Sequence, residues 1–331
     1  FYTDRNPQPF SLALGMSFTL IGLIVLSLAA SFGILLLAVA LVGLGSSIFH
    51  PEASKVAFMA SGGKKGLAQS IFQVGGNAGS AMGPLLAALI IVPFGQASIL
   101  WFSLLALLAI AVLITIGKWY SQNTHRIKVK SNAKHLTGHP KLSQARITAS
   151  IIILLVLVFS KYFYLACISS YYTFFLIDKF HISVQSSQLY LFVFLASVAA
   201  GTLLGGPLGD KFGRKYVIWF SILGAAPFTL MLPHASLFFT AVLTVFIGFI
   251  LASAFSAILV YAQDLIPGKV GMIAGLFFGF AFGMGGVGSA LLGALADQTS
   301  IQYVFKVCAF LPLIGLLTAF LPNIGGSRKS G

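Results

Sequence analysis

The stretch Gly206-Pro-Leu-Gly-Asp-Lys-Phe-Gly-Arg-Lys215 separates two long apolar runs and concentrates Asp210, Lys211, Arg214 and Lys215 in one glycine-rich turn. Charges this dense between two membrane-length segments indicate a short cytoplasmic loop joining two transmembrane helices. A partial copy, Tyr2-Thr-Asp-Arg5, precedes another apolar run near the start of the chain. Two copies of one loop predict an internal repeat, which in a membrane protein is typical of a transporter.

The composition supports a membrane protein. The chain is 58% hydrophobic and 8% charged, with a mean hydropathy of +0.98, whereas soluble domains are about 25% charged. The apolar runs do not alternate with polar residues, so we predict an all-α polytopic membrane protein and not a β-barrel. Cys167 and Cys308 both lie in apolar runs, which predicts buried core residues and no disulfide framework.

About ten segments have the length of ~20 residues that a bilayer requires. We predict spans at 10–30, 33–57, 67–92, 97–118, 148–177, 186–208, 214–232, 236–263, 270–294 and 301–321. The basic segment 119–147 is predicted to be a linker between an N-terminal helical half, 1–118, and a C-terminal six-helix half, 148–322, followed by a tail, 323–331.

The positive charges predict the orientation. If the basic linker is cytoplasmic, alternate loops and the tail place about 16 of the 20 Lys and Arg residues on the same side. We therefore predict a multi-pass membrane protein with linker and C-terminus in the cytoplasm. The net charge of +14 is then a signal of topology, and its spread over short loops argues against a nucleic-acid partner.

A single register relates the two halves. An offset of 205 residues aligns Gly43 with Gly248 and Lys64 with Lys269, and it also aligns Gly63 with Gly268, Gly66 with Gly271, Phe72 with Phe277 and Gly83 with Gly288. Parallel halves of this kind hold substrate between them near the middle of the membrane.

The halves are unequal, with six predicted spans in the second and four in the first. We therefore expect that two helices precede Phe1 in an intact protein of twelve, and that this chain alone does not transport. A ten-helix protein is the alternative.

The turn resembles the signature G-x-x-x-D-(R/K)-x-G-R-(R/K) of the major facilitator superfamily. Gly206, Asp210, Lys211, Gly213, Arg214 and Lys215 match it, while the first copy retains Asp4 and Arg5, with Pro7 and Pro9 in the later positions. The resemblance implies that these residues form a cytoplasmic gate that stabilises the outward-facing state. The alternative is that the loops only obey the positive-inside rule.

Five longer segments resemble a narrower bacterial group of that superfamily, the fosmidomycin exporters. They are Phe49-His-Pro-Glu-Ala-Ser, Gly66-Leu-Ala-Gln-Ser-Ile-Phe-Gln-Val-Gly-Gly-Asn77, Phe159-Ser-Lys-Tyr-Phe-Tyr164, Ser169-Ser-Tyr-Tyr-Thr173 and Ser253-Ala-Phe-Ser-Ala-Ile-Leu-Val-Tyr-Ala-Gln263. This resemblance implies an inner-membrane exporter of the phosphonate antibiotic fosmidomycin, driven by protons.

Glu52 is the one acidic residue within a predicted span of the first half. A buried carboxylate in a membrane is costly unless it is paired or hydrated, so Glu52 is a candidate for proton coupling, together with His50, which titrates near neutral pH. At the offset of 205, His50-Pro51-Glu52 falls on Phe255-Ser256-Ala257, so the scaffold itself does not need the triplet. The alternative is that Glu52 pairs with Lys55.

Lys161 is predicted to lie near the middle of the bilayer, with Tyr164 one helical turn away and Tyr171 and Tyr172 two to three turns away. A buried ammonium beside phenols suits an anionic head group such as phosphonate or carboxylate. A structural ion pair with an acid such as Glu52 is the alternative.

Glycines recur every four residues at Gly75, Gly79 and Gly83 and at Gly275, Gly279 and Gly283. This spacing predicts close helix packing, and Gly79 to Pro84 also resembles the antiporter motif of the superfamily. Gln73 and Asn77, one turn apart, are predicted to face the substrate. One departure is Val39, where drug–proton antiporters carry an arginine.

Proton-coupled export of a small anionic or amphiphilic drug is the function that we predict, in a monomer without cofactor or metal. A symporter or exchanger of an anionic metabolite is the alternative. An enzyme is disfavoured because the spans contain no paired histidines that could bind a metal, no pair of acidic residues and no nucleophile elbow. A sensor is disfavoured because there is no long soluble segment.

Overall fold

The computed structural model describes residues 8–86, 90–134 and 142–323, and every regular element within them is a helix. The longer ones are α1 (Ser11–Ser27), α2 (Phe32–Ala60), α3 (Lys65–Leu86), α4 (Leu100–Lys134), α5 (Gln144–Phe180), α6 (Val184–Phe212), α7 (Arg214–Leu223), α8 (Ala226–Met231), α9 (Leu237–Ala252), α10 (Ala254–Leu265), α11 (Val270–Gln298) and α12 (Ile301–Cys308). Short helical segments follow at Val92–Phe94, Gln96–Ile99, Leu232–His234 and Leu311–Phe320.

Most of the predicted spans correspond to helices that can cross a membrane. Among the described residues, eight helical segments are long and apolar enough: Phe32–Ala60, Gln96–Asn123, Gln144–Phe180, Ser186–Phe212, Arg214–His234, Leu237–Leu265, Val270–Gln298 and Ile301–Phe320. Ser11–Ser27 is apolar but shorter. Helix α3 is long enough, but polar residues such as Gln69, Gln73 and Asn77 make it less apolar than the eight.

The repeat is visible in where the helices begin. The offset of 205 residues relates the start of α2 at Phe32 to that of α9 at Leu237, and the start of α3 at Lys65 to that of α11 at Val270. Gly63 and Gly268, which the same offset relates, both have positive φ angles, 102° and 83°. Glycine adopts this backbone without steric cost, so an equivalent turn precedes α3 and α11.

The chain forms two compact units that do not coincide with the two sequence halves. The first comprises the described residues of 1–60, 82–140 and 266–276. Within it, α1 packs closely on α2, because Gly15 and Gly45 lie backbone to backbone, and Leu12, Ala13 and Leu113 form a small core. The Gln96 amide donates to the carbonyls of Leu26 and Ala29 at 2.7 and 2.8 Å, satisfying the C-terminus of α1.

The second unit comprises residues 61–81, 141–265 and 277–331, as far as they are described. Its core includes Tyr164, Tyr172, Phe175, Phe194 and Phe305. Helices α6 and α9 approach closely, because Gly201 and Gly205 lie against the backbones of Phe249 and Ser253. A side chain at either glycine would collide with that backbone.

The predicted linker begins inside a helix, because α4 continues to Lys134. Residues 119–134 contain neither glycine nor proline, so nothing in their sequence ends the helix. Helix α5 begins at Gln144, where the hydroxyl of the N-cap residue Ser143 accepts from the Arg146 amide.

Candidate functional site

Four charged side chains of the second unit meet where α3 begins, α6 ends, α7 begins and α10 ends, and we call Lys65, Asp210, Arg214 and Asp264 the charged cluster. Lys65 donates to Asp264 at 2.7 Å, Arg214 pairs with the other oxygen of Asp264, and the Arg214–Asp210 distance is 3.5 Å. Each side chain is about one-fifth to one-quarter exposed. Asp264 therefore holds the start of α3 and the start of α7 together.

Asp210 also caps helix α3. Its two carboxylate oxygens accept the backbone N–H groups of Gly66 and Leu67, both at 3.1 Å. The first N–H groups of a helix have no partner within the helix, and a carboxylate at that end also interacts favourably with the helix dipole. The approach requires glycine on both helices, because a Cβ atom on Gly206 would collide with the Gly66 carbonyl.

The polar face of α3 continues this contact away from the charged cluster. The Ser70 hydroxyl accepts the Gly206 N–H at 2.8 Å and donates to Ser256 at 3.1 Å. The Gln73 amide donates to Ser256 at 3.2 Å, and the Asn77 amide donates to Thr202 at 2.7 Å. In this conformation, the two residues predicted to face the substrate thus bind α10 and α6.

The remaining residues of the predicted gate have separate contacts. Gly213, with a φ of 97°, makes the turn between α6 and α7 possible. Lys211 is exposed, with its ammonium 5.2 Å from the centre of the Phe212 ring. Lys215 donates to the carbonyls of Ala319 and Leu321, near the end of the final helical segment. Asp4 and Arg5 lie outside the described residues.

Lys161 lies near the middle of α5 and is only 3% exposed. Its ammonium donates to the Ala252 carbonyl at 3.3 Å and lies 5.4 and 5.3 Å from the ring centres of Tyr162 and Phe255. Among the described residues, no carboxylate lies within ion-pair distance of it. The structural ion pair considered from the sequence is therefore not present in the described part of the chain.

A cavity of about 280 Å³ opens beside this lysine within the second unit. Tyr162, Asn77, Ser169 and Ser289 supply its polar groups, with Phe194 and Leu195 among its apolar walls. All four polar groups are neutral, so Lys161, one residue before Tyr162, is the cation closest in sequence to the lining. The lining itself can offer hydrogen bonds but no charge.

The tyrosines predicted to bind substrate occupy other positions. Tyr164 and Tyr172 are buried in the core of the second unit, and the Tyr172 hydroxyl lies 3.2 Å from that of Thr244. Tyr171 donates to the Ser289 carbonyl. None of the three lines the cavity in this conformation, whereas Tyr162, which the sequence reasoning passed over, does. Spacing along the helix predicted which tyrosines lie near Lys161 in sequence, but it did not predict which face of the helix each of them occupies.

Glu52 is buried in α2, with 4% of its surface exposed. One oxygen lies 4.0 Å from the Lys55 ammonium, which is too long for a hydrogen bond, and the other has no hydrogen-bond partner among the described residues. His50 contacts Ser46 through Nδ1, at 3.0 Å from the hydroxyl and 3.1 Å from the carbonyl. Pro51 lies within α2, which continues through it.

Among the described residues, the two glycine ladders do not mediate the close packing that the sequence predicts. There, a Cβ atom on Gly75, Gly79, Gly83, Gly279 or Gly283 would meet nothing within 4 Å, and one on Gly275 would only touch the Pro51 ring at 3.7 Å. Close helix contacts instead use Gly66, Gly201, Gly205 and Gly206, as well as Gly15 and Gly45. The spacing alone did not distinguish a glycine that contacts another helix from one beside open space.

Pro84, the last residue of the motif that resembles the antiporter motif, does not end α3, because this helix continues to Leu86.

The sequence reasoning also missed Asp264 and the role of Lys65. The chain has only six acidic residues, so each acid near an array of basic loops was a candidate partner, and this signal could have identified Asp264. Within the described residues, no group of three or more His, Cys, Asp or Glu side chains could hold a metal ion.

Comparisons with known proteins agree with this architecture. The sequence profile of the Major Facilitator Superfamily matches residues 1–178 and 154–330. The chain is 64% identical over 323 residues to the fosmidomycin resistance protein of Escherichia coli K12, covering 98% of this chain and 79% of that protein. It is 44% identical over 323 residues to the MFS-type transporter YfnC of Bacillus subtilis 168, with the same coverage. The predicted resemblances are thereby confirmed.

Solved structures share the fold at low sequence identity. The fucose:proton symporter FucP of E. coli superposes with a TM-score of 0.69 at 11% identity, covering 97% of this chain and 85% of its own. The human organic anion transporter MFSD10 superposes with a TM-score of 0.68 at 15% identity, covering 94% and 76%. These structural similarities show the all-helical fold. The superfamily profile and the 64% identical relative belong to membrane transporters, which confirms the prediction that the chain is not an enzyme.

Proposed function

Because the chain belongs to the major facilitator superfamily of membrane transporters, we propose that it exports a small anionic drug, with fosmidomycin as the leading candidate, in exchange for protons. The observation that carries this proposal is the ammonium of Lys161, buried beside a cavity whose polar groups are all neutral. The 64% identity to a fosmidomycin resistance protein supports the choice of drug.

A buried lysine with no acidic partner among the described residues favours an anionic ligand. Transfer of a lone charge into an apolar interior costs several kcal/mol. Attraction to a buried counter-charge offsets a cost of about that size. A phosphonate or carboxylate in the cavity would supply that counter-charge, and Tyr162, Ser169 and Asn77 could hydrogen-bond its oxygens. We therefore assign substrate selection to Lys161 and this lining.

We assign proton coupling to Glu52. Its carboxyl group is buried, has one oxygen without a described hydrogen-bond partner, and lies 4.0 Å from Lys55. Such a group can alternate between a protonated state and an ionised state paired with Lys55, and each state has a different stability in an apolar site. We also assign proton coupling to His50, a second titratable side chain two residues earlier in α2.

We propose that the charged cluster is the cytoplasmic gate of an alternating-access cycle and that this conformation is its closed state. The cap of Asp210 on α3 and the bridge of Asp264 to Lys65 and Arg214 support this role, since both must break before the helices can separate. The cytoplasmic assignment rests on the excess of positive charge in these loops. The open ladder glycines Gly79 and Gly283 leave room for helices to approach in another state.

Inverted membrane vesicles test the function directly. In vesicles with an acidic interior, addition of fosmidomycin should release protons from vesicles that contain the intact protein and not from control vesicles. A fluorescent pH indicator trapped inside reports this release. Absence of drug-dependent proton release, together with drug uptake by whole cells, would instead support a symporter or exchanger of anionic metabolites, because Lys161 suits either cargo.

A further inference from the structure

Helix α10 contacts both the lysine site and the charged cluster. Phe255, at its N-terminal end, lies 5.3 Å from the Lys161 ammonium, and Asp264, at its C-terminal end, binds Lys65 and Arg214. Between them, Ser256 accepts hydrogen bonds from Ser70 and Gln73. This single helix of twelve residues therefore connects the candidate anion site to the candidate gate.

The packing of α10 favours movement as one body. Each of its residues except Asp264 is buried, so a shift at one end cannot be absorbed by loose side chains along its length. The helix is separated from α9 at Ser253, whose N–H bonds to the Ile250 carbonyl, three residues back, and whose hydroxyl bonds to that carbonyl and to Ser221. Such a local tightening of the helix is a typical position for a hinge.

Lys161 is withheld from the cavity in this conformation. Its ammonium hydrogen bond goes to Ala252, immediately before the interruption, and not to a group in the cavity. Tyr162 contacts both the ammonium and the cavity, while Lys161 itself does not line the cavity. The Tyr162 ring packs edge-on against Phe255 and Phe282, which holds it in this place.

From these contacts we infer that α10 couples the charged cluster to the affinity of the anion site. While the charged cluster is closed, α10 holds Phe255 against Lys161, the ammonium stays bonded to the carbonyl of Ala252, the last residue of α9, and it is unavailable to an anion. When the cluster opens, α10 moves at Ser253 and Lys161 is released into the cavity. This inference rests on the proposed function, because it requires an anionic cargo.

Coupling of this kind gives transport a direction. An exporter must bind its cargo strongly from the cytoplasm and weakly once the cytoplasmic side has closed, so withdrawal of Lys161 on closure promotes release to the outside. Coupling between two sites is reciprocal, and therefore an anion bound to Lys161 must also favour the open charged cluster. A ligand shifts such an equilibrium only by its difference in affinity for the two states.

A double-mutant cycle tests the coupling in purified protein in lipid nanodiscs. Asp264→Asn removes the charge that holds α10 and should tighten fosmidomycin binding, measured by titration calorimetry, by roughly fivefold or more, the usual lower range of allosteric coupling. The Lys161→Met protein should bind fosmidomycin more weakly than wild type, and adding Asp264→Asn to it should not change that affinity. Asp297→Asn, the same substitution at an exposed end of α11, is the matched control and should not change binding.

Thiol labelling provides a readout that does not depend on the drug. Ser70 is fully buried next to the charged cluster. The thiol of a Ser70→Cys variant should react faster with a small thiol reagent after Asp264→Asn, and so should the thiol of a Lys161→Cys variant. The buried Cys167 and Cys308 are replaced by serine or alanine as background. Unchanged labelling at position 161 while position 70 becomes accessible would overturn the coupling through α10, as would unchanged labelling at both.

The outcomes separate the two proposals. Wild-type protein that binds no fosmidomycin, yet shows coupled labelling at positions 70 and 161, would refute the proposed cargo and retain the role of α10. Wild-type protein that binds fosmidomycin, with equal effects of Asp264→Asn in the presence and absence of Lys161, would retain the cargo and refute the coupling. Lys65→Gln removes the bond between α3 and Asp264 and therefore opens the same cluster. It replaces Asp264→Asn in these experiments if the Asp264→Asn protein does not fold.

Discussion

Helix α2 and the α9–α10 pair begin at equivalent residues of the repeat, Phe32 and Leu237, but only the second is interrupted. The uninterrupted α2 contains Pro51, while α9–α10 contains no proline and separates at Ser253. Proline is the usual cause of a break in a helix. The interruption between α9 and α10 instead coincides with Ser253, whose hydroxyl bonds to the Ile250 carbonyl and to Ser221. The difference shows that side-chain bonding to the helix backbone can accompany an interruption of a membrane helix that contains no proline.

The same alignment separates two kinds of chemistry. His50, Pro51 and Glu52 in α2 fall on Phe255, Ser256 and Ala257 in α10. The first set contains a buried acid and a titratable ring, while the second covers Lys161 and accepts hydrogen bonds from α3. We therefore expect proton handling in the first half of the chain and anion handling in the second. Two substitutions test this division, and a third tests the packing of α3 on α6.

Glu52→Gln should have the largest effect. The change keeps the size and polarity of the side chain but removes its ability to carry a proton, so drug-dependent proton release from inverted vesicles should be abolished at normal membrane levels. Asp178→Asn, which alters an acid bonded to Gln302 at the surface, is the control and should retain coupling. Ordinary efflux by the Glu52→Gln protein would remove proton handling from the first half.

Lys161→Met should have the next largest effect. A hydrogen bond to a charged group contributes about 1.5–3 kcal/mol, so affinity for fosmidomycin should fall roughly tenfold or more, while a neutral analogue should lose little. Lys306→Met, at an exposed position of α12, is the matched control. Equal losses for anionic and neutral compounds in a binding assay would make Lys161 a structural residue and remove anion handling from the second half.

Gly206→Ala should have the smallest of the three effects. The added Cβ atom would collide with the Gly66 backbone, and overpacking of this kind costs about 1–3 kcal/mol. A lower melting temperature of the purified protein would register this cost. Gly79→Ala, where a Cβ atom meets nothing within 4 Å, is the contrasting variant and should melt like wild type. Equal melting of both variants would contradict the packing assigned to α3 and α6.

The sequence predicted the fold well because the determinants of membrane helices are local. Length, hydropathy and loop charge located segments such as 270–294, close to the observed Val270–Gln298, and the offset of 205 residues held for whole helices. The segment 119–134 was assigned to a linker because it is polar and basic. Its helical structure follows from the absence of helix-breaking residues, a signal that hydropathy does not contain.

The site was predictable only in part, because its contacts join residues far apart in the chain. Burial and charge were enough to select Glu52 and Lys161 as candidates. The hydrogen bond from Lys161 to Ala252 and the pairing of Lys65 with Asp264 each depend on which helix faces which, and no spacing within one helix reports that. For the same reason Tyr164 was preferred to Tyr162, although only Tyr162 lines the cavity.

The neutral lining of the cavity bears on antibiotic chemistry. Asn77, Tyr162, Ser169 and Ser289 can each bond many polar molecules. For the anionic cargo that we propose, charge must therefore carry much of the discrimination. A phosphonate masked as a neutral ester would enter the cell without presenting an anion to Lys161. We expect such prodrugs to be poor cargo until intracellular esterases unmask them, and slow unmasking to extend their residence in resistant bacteria.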